Sequence, residues 1–261
     1  MPDRLKLALA ALLLVSAGAL AVRTLGGCQA GGYVEPKLGA ADHVREALHG
    51  DEARSRLESI AALGKSEDPL ARTTLEKVLE QADAPAPVVA AAARALGRRK
   101  DPRSVRAIAK RLEDPAAESV MVKAAAIRAL ERIGHPGAFD ALRKQVTPQN
   151  PVAADAVWAM GRLRDPETGR LPPGVEGQLI AYLAHPIPKV RMQAIDGLRA
   201  GGTERALPEL EELLKKPLNG IRSDIRDRPL PDWDGPKSEL IAAPCRRAIE
   251  AIRQRLGKEG G

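Results

Sequence analysis

Aromatic side chains are almost missing from this chain of 261 residues: Tyr33, Phe139, Trp158, Tyr182 and Trp233 are all there are. A β-sandwich or a large α/β enzyme fills its core with many more of them. Cysteine is as scarce. Cys28 lies near the N-terminus, which leaves Cys245 alone in the folded part. That excludes a disulfide framework and a zinc-type cysteine cluster. The four histidines, His43, His49, His135 and His185, have no metal-ligand spacing. There is no Gly-rich phosphate loop, no nucleophile elbow and no convincing catalytic dyad. What the chain has instead is Ala, Leu, Val and Ile, small apolar residues that let helices approach closely, with Ala the best helix former. The expectation is an all-α protein that is not an enzyme, with no catalytic residue, no metal and no cofactor.

The formal net charge is +7, of which residues 1–27 hold Arg4, Lys6 and Arg23 against Asp3. The mild basicity that remains permits an anionic partner without requiring one, because a charge of this size also serves solubility.

Arg4 and Lys6 precede an uncharged apolar run from Leu7 to Val22. Its length suits a signal peptide and falls short of the ~20 residues that span a bilayer. Leu25-Gly26-Gly27-Cys28 then resembles a bacterial lipobox. The resemblance implies that residues 1–27 are removed and that Cys28 carries lipid. Ordinary cleavage near Ala30 and an uncleaved anchor are the alternatives. Residues 28–40, with their Gly and Pro, read as a flexible tether. An exported protein held at the cell envelope, lipid-anchored or periplasmic, is therefore expected.

Beyond the tether one pattern recurs. Leu63, Leu96, Leu130, Met160 and Leu198 stand 33, 34, 30 and 38 residues apart. Six residues after the first four come Pro69, Pro102, Pro136 and Pro166, three of them preceded by Asp68, Asp101 and Asp165. Gly64, Gly97 and Gly161 follow three of the anchors. Val88, Val122, Val152 and Val190 precede the later anchors by eight, and small apolar residues fill the positions four, three and one before them. Spacings of 3, 4 and 7 place all of these on one face of a helix. A second helix follows, marked by the pairs Leu75/Leu79, Ile108/Leu112, Leu142/Val146 and Leu210/Leu214. In the fourth unit Leu179/Leu183 take that place once a Gly- and Pro-rich insertion over 167–174 is allowed. Each unit is thus helix, Asp-Pro turn, helix. Proline suits the first turn of the second helix and the preceding Asp can cap it.

The runs Pro188–Leu198 and Ala95–Arg103 resemble the HEAT-like repeat of the phycobilisome lyases. The resemblance covers about residues 51–216 in five units. It implies a right-handed α-solenoid over 41–216, in which neighbouring hairpins stack to hide their apolar faces. Half-repeats would cap it, one around His43–His49 and one over 238–257, the latter after a Pro-rich loop at 217–237. HEAT-repeat hydroxylases hold iron with His-Glu dipeptides, and this sequence has none.

In solenoids of this type the second helices line the concave face. Fourteen residues after the anchors stand Lys77, Lys110 and Lys144, opposite the apolar pair of each second helix, with Arg106 and Arg143 nearby. These five residues are the expected binding site, a basic ladder for an acidic segment of a partner protein. The ladder turns acidic at Glu209, Glu211 and Glu212. A second ladder, Lys65, Arg98, Arg132 and Arg162, sits where cations offset the dipoles of the first helices. His135 and His185 read as solvated turn residues. Cys245 reads as core, although Arg246 and Arg247 beside it would favour a thiolate. The function expected is a membrane-anchored scaffold that binds another protein, with no small-molecule substrate evident. The alternatives are nucleic-acid binding of the DNA-glycosylase type and a chromophore lyase. Export and the acidic end of the ladder argue against nucleic acid, since phosphates favour an unbroken positive track.

Overall fold

The turns between helices show how the repeat is built. In the computed structural model, which describes residues 39–114, 119–215 and 239–259, Asp68 accepts a hydrogen bond from the Leu70 amide (2.8 Å) and Asp101 from the Arg103 amide (3.0 Å). Where the sequence has no Asp, another acceptor takes its place. His135 Nδ1 accepts from the Gly137 amide (3.1 Å) and Thr203 Oγ1 from the Arg205 amide (3.4 Å). Each bond satisfies one orphan amide at a helix start. The expected signal segment, Cys28, nearly all of the tether and the 217–237 loop lie outside the described residues.

Twelve α-helices are described, and among the described residues there is no strand. In chain order they are α1 (Ala40–His49), α2 (Ala53–Leu63), α3 (Pro69–Glu80), α4 (Ala86–Arg99), α5 (Val105–Glu113) and α6 (Val120–Ile133), followed by α7 (Phe139–Lys144), α8 (Ala153–Met160), α9 (Pro173–Tyr182), α10 (Pro188–Gly201), α11 (Leu207–Lys215) and α12 (Glu239–Glu259). Short 3-10 turns lead into α5, α7 and α11. The first helices α2, α4, α6, α8, α10 and α12 pack each on the next. The second helices α1, α3, α5 and α7 do the same in a parallel layer. This is an α-solenoid.

The apolar periodicity is the seam between the layers. Leu63, Leu96, Leu130, Met160 and Leu198 are all buried, as are Leu75, Leu79, Ile108, Leu112, Leu142, Leu179 and Leu210. Each fully buried side chain of this size stabilises the fold by about 1.5–3 kcal/mol. Val146 and Leu214 are only partly buried. Helix α7 stops at Lys144, so Val146 lies past its end, and the Gln145 amide group donates back to the Leu112 carbonyl (3.2 Å). In the fourth unit Asp165 does not start a helix. It anchors a loop by accepting from the Glu167 and Thr168 amides, and those bonds, the Thr168 amide first, hold its carboxyl below the usual range. The chain then turns at Gly169 (φ 67°) and enters α9 at Pro173.

Glycine and alanine set the spacing of the first-helix layer. A Cβ on Gly97 would lie 2.7 Å from the Ala129 Cα, and one on Gly161 would lie 2.6 Å from the Gly197 Cα. Only glycine permits such backbone approach. Arginines of the following repeat also tie neighbours together. Arg99 donates to the carbonyls of Leu63 (3.2 Å) and Ser66 at the end of α2, and Arg255 donates to those of Arg199 (2.8 Å) and Gly202 (2.9 Å) at the end of α10. Buried Glu176 accepts from the Thr203 amide (2.6 Å) and hydroxyl (2.9 Å), which fastens α9 to the turn before α11.

Candidate functional site

Lys77 on α3, Arg106 and Lys110 on α5, and Arg143 and Lys144 on α7 all stand on the second-helix layer. Each helix presents its charged row because the opposite row, two or more positions around, is fixed in the core. All five are exposed, so they share one solvated face. They are not, however, five free cations. Lys110 Nζ lies 3.4 Å from Glu80 on the preceding second helix, and Lys144 Nζ lies 2.8 Å from Glu113. Arg143 pairs loosely with Asp140 at 3.7 Å. Lys77 and Arg106 have no carboxylate partner among the described residues. The ladder is therefore partly zipped, with Lys and Glu alternating from repeat to repeat. Lys110 and Lys144 remain 76% and 56% exposed, so these pairs contribute little stability, on the order of 0–1 kcal/mol each. Lys110 also forms the ridge between two open grooves. One of about 340 Å³ is lined by Glu80, Ala107 and Asp114, the other of about 500 Å³ by Arg106, Ala109 and His135. At the far end Glu211 pairs with Arg253 of α12 at 2.7 Å.

The histidines are not merely solvated. His135 caps a turn, as above, and His185 Nδ1 accepts from the Ile187 amide (3.2 Å) before α10. Burial first, then the nearby Arg191 charge, holds the His185 imidazole below its usual range. His43 shares a hydrogen bond with Ser59 (3.2 Å). Among the described residues no group of three or more His, Cys, Asp or Glu could hold a metal ion. Cys245 is fully buried on α12, and burial pushes its thiol up to about 11 against the opposing pull of Arg246. Desolvation thus outweighs the basic neighbours, and the side chain acts as core.

The first-helix ladder diverges along its length. Arg162 stacks on the Trp158 ring, 3.9 Å from its centroid, and lies 3.5 Å from Asp196. Arg98 and Arg132 have neither such contact. The row two residues before the anchors escaped the sequence reading: it holds Arg94, Arg128 and Trp158, all exposed. Its signal lies in the spacing of polar positions, which the apolar periodicity does not mark.

Two family models match. One for HEAT repeats covers residues 147–226, and one for the PBS lyase HEAT-like repeat covers residues 88–114 and 122–145. The chain carries repeats of both descriptions. Among solved structures it is similar to a designed armadillo repeat protein at 17% identity, over 82% of this chain and all of that one, with a TM-score of 0.48. It is also similar to the complex of CpcE and CpcF of phycocyanin lyase from Nostoc sp. PCC7120, at 18% identity over 87% of this chain and all of that one, with a TM-score of 0.39. Human deoxyhypusine hydroxylase in complex with glycerol matches at 17% identity over 90% of this chain and 88% of that one, with a TM-score of 0.35. No curated protein sequence matches the chain.

One expectation is corrected here. The sequence predicts a protein that is not an enzyme. The repeat model matched over 88–114 and 122–145 is named for a lyase. Repeats of this type occur in enzymes, so the architecture gives no ground for excluding activity.

Proposed function

We propose that the chain is an exported, membrane-anchored HEAT-like repeat scaffold that binds another protein along the face of its second helices. The apolar run Leu7–Val22 and the lipobox-like Cys28 support export and anchoring. The observation that carries the binding role is the exposed charge zipper of Glu80, Lys110, Glu113 and Lys144, with the unpaired Lys77 and Arg106 beside it and open grooves on either side of Lys110. Alternating signs change the partner chemistry from the one a row of free lysines would imply. The face suits a segment that presents both carboxylates and cations in register, because a purely acidic one would meet Glu80 and Glu113.

The test is affinity capture of the intact protein from membranes, followed by mass spectrometry. A partner should be recovered with the natural chain and lost with a Lys110→Glu/Lys144→Glu variant. Equal recovery would remove this face from the function. The same preparation reports on Cys28: a lipid adduct is expected there, and Cys28→Ala should release the protein from the membrane fraction.

A further inference from the structure

The first-helix layer carries a charge pattern opposite in kind to that of the second. Helices α4 and α6 cross where Gly97 meets Ala129. Beside that crossing stand Arg94 and Arg98 on α4 and Arg128 and Arg132 on α6, each pair spaced i, i+4 on one helix face. All four are exposed. Among the described residues none of them has an ion pair or a hydrogen bond. Four other exposed arginines find carboxylates, Arg45 with Asp42, Arg103 with Asp101, Arg199 with Asp196 and Arg253 with Glu211, while Arg106 and Arg205 stand singly without one among the described residues. The four guanidiniums instead feel one another. Partial burial, then the charges of Arg132 and Arg94, holds Arg98 below the usual arginine range. Like charges at this spacing oppose helix formation by a few tenths of a kcal/mol per pair. A bound anion would reverse that sign.

The patch is small and bounded. Adjacent helix axes lie roughly 8–10 Å apart, so four guanidiniums on two helices cover about the footprint of a few residues. On one side the matching positions hold Ala61 on α2 and a single lysine, Lys65, just past the end of that helix. On the other, α8 offers Trp158 and Arg162, and that guanidinium is already engaged by the ring and by Asp196. Arg128 lines a pocket of about 240 Å³ together with Glu131, Asp155, Trp158 and Gln193. Its two carboxylates end the positive ground.

We propose that Arg94, Arg98, Arg128 and Arg132 form a docking site for a short acidic segment of a partner protein. Guanidinium forks take carboxylates in bidentate fashion, and four of them match two or three closely spaced acidic side chains. The exposed face of Trp158, at the rim, receives an apolar neighbour in that segment. A nucleic-acid strand or a lipid surface fits less well. Either would extend past two helices and press phosphates against Glu131 and Asp155. This site lies on the opposite helix layer from the charge zipper, and it stands whether or not the zipper binds anything.

The experiment is fluorescence anisotropy with the full chain. The probe is a labelled Gly/Ser peptide bearing six glutamates, with its six-glutamine counterpart as control. Arg94→Glu/Arg128→Glu is compared with Lys110→Glu/Lys144→Glu, which makes the same change in net charge on the other layer. The acidic peptide should bind the natural chain and the glutamine peptide should not. The arginine variant should bind at least about tenfold more weakly, a neutral Arg94→Gln/Arg128→Gln variant about threefold more weakly, and the lysine variant within about twofold of the natural chain. Both arginines lack partners, so the fold should survive, and circular dichroism checks that. No binding of the acidic peptide would overturn the proposal, as would equal losses in the arginine and lysine variants. So would tighter arginine-dependent binding of oligothymidylate or of phosphatidylserine vesicles. Failure of the scaffold reading shows separately, as capture that survives the lysine variant.

Discussion

One substitution, Gly to Ala, should have opposite signs at two glycines sixteen positions apart in this chain, and the difference comes chiefly from packing. At Gly161 a new methyl group would stand 2.6 Å from the Gly197 Cα, a backbone atom of α10 that no side-chain rotation can move. The helices α8 and α10 must separate, and with them the seam that buries Met160 and Leu198. Overpacking of this kind costs about 1–3 kcal/mol. The helix-propensity gain of up to about 1 kcal/mol offsets only part of it, because Gly161 is a C-cap rather than an interior position. At Gly177, inside α9, nothing lies within 4 Å of the added methyl group. There the substitution should stabilise by about 0.5–1 kcal/mol, through the lower entropy of the unfolded chain and the better propensity of Ala. The two variants should thus differ by about 2 kcal/mol. With a urea slope of roughly 2 kcal/mol/M their midpoints should lie about 1 M apart. Native-state hydrogen exchange should place the loss in α8 and α10, since repeats pass strain to their neighbours first. A Gly161→Ala midpoint equal to or above that of Gly177→Ala would refute the close approach on which the solenoid geometry rests.

Two further outcomes follow from titratable groups that are partly or wholly shut from solvent, His185 and Cys245. His185 must keep Nδ1 unprotonated to accept from the Ile187 amide, and its imidazole is held below the usual range. In the interval below about pH 6.5 the unfolded chain therefore binds a proton that the folded chain refuses. Stability should be level above that pH and fall as the solution is acidified through it. His185→Asn, which keeps an acceptor, should flatten that part of the profile when pH-dependent urea melts are compared; an unchanged profile would contradict it. In a Cys28→Ser chain, Ellman's reagent at pH 8 should label Cys245 only after denaturation, because a thiol near 11 exposes roughly a thousandfold less thiolate than its total and this one is also shut from solvent. Rapid labelling of the native protein would show that α12 is not seated on α10.

The repeat was legible because burial imposes its own period. A hairpin that must hide one face against its neighbours puts Leu63, Leu96, Leu130, Met160 and Leu198 in equivalent places, and a helix leaves them at spacings that a reader can count. The turns were legible at Asp68 and Asp101 for the same reason, since a short carboxylate before proline is a common cap. His135 and Thr203 were not seen in that role. The requirement is only an acceptor that reaches the amide two residues on, and an imidazole Nδ1 or a threonine hydroxyl meets it with a different letter. The early end of α7 was likewise hidden, because Leu142 and Val146 keep the helical spacing although the helix stops between them. On the surface the limit was of another kind. Exposure of the lysine row follows from helix phase, but its pairing with Glu80 and Glu113 depends on how far one repeat is displaced along its neighbour, and no periodicity within a single helix contains that distance.

The same displacement explains why one layer neutralises itself and the other does not. On the second helices, lysine fourteen places after each anchor meets glutamate seventeen places after the previous one, so Lys110 reaches Glu80 and Lys144 reaches Glu113. Lys77 is left over because, of the residues thirty and thirty-one places before it, Ala47 is buried and apolar and Glu46 accepts from the Ser55 hydroxyl instead. On the first helices both exposed places, two before and two after the anchor, hold arginine in two successive units. Three residues earlier, where α8 has the exposed Asp155, α6 has the buried Ala125 and α4 the half-buried Ala91, so neither place is open to a solvated carboxylate. Intrahelical pairs of that spacing stabilise by a few tenths of a kcal/mol. Packing against the neighbouring helices forgoes that pair, and the acidic segment proposed above would supply the missing charge from outside.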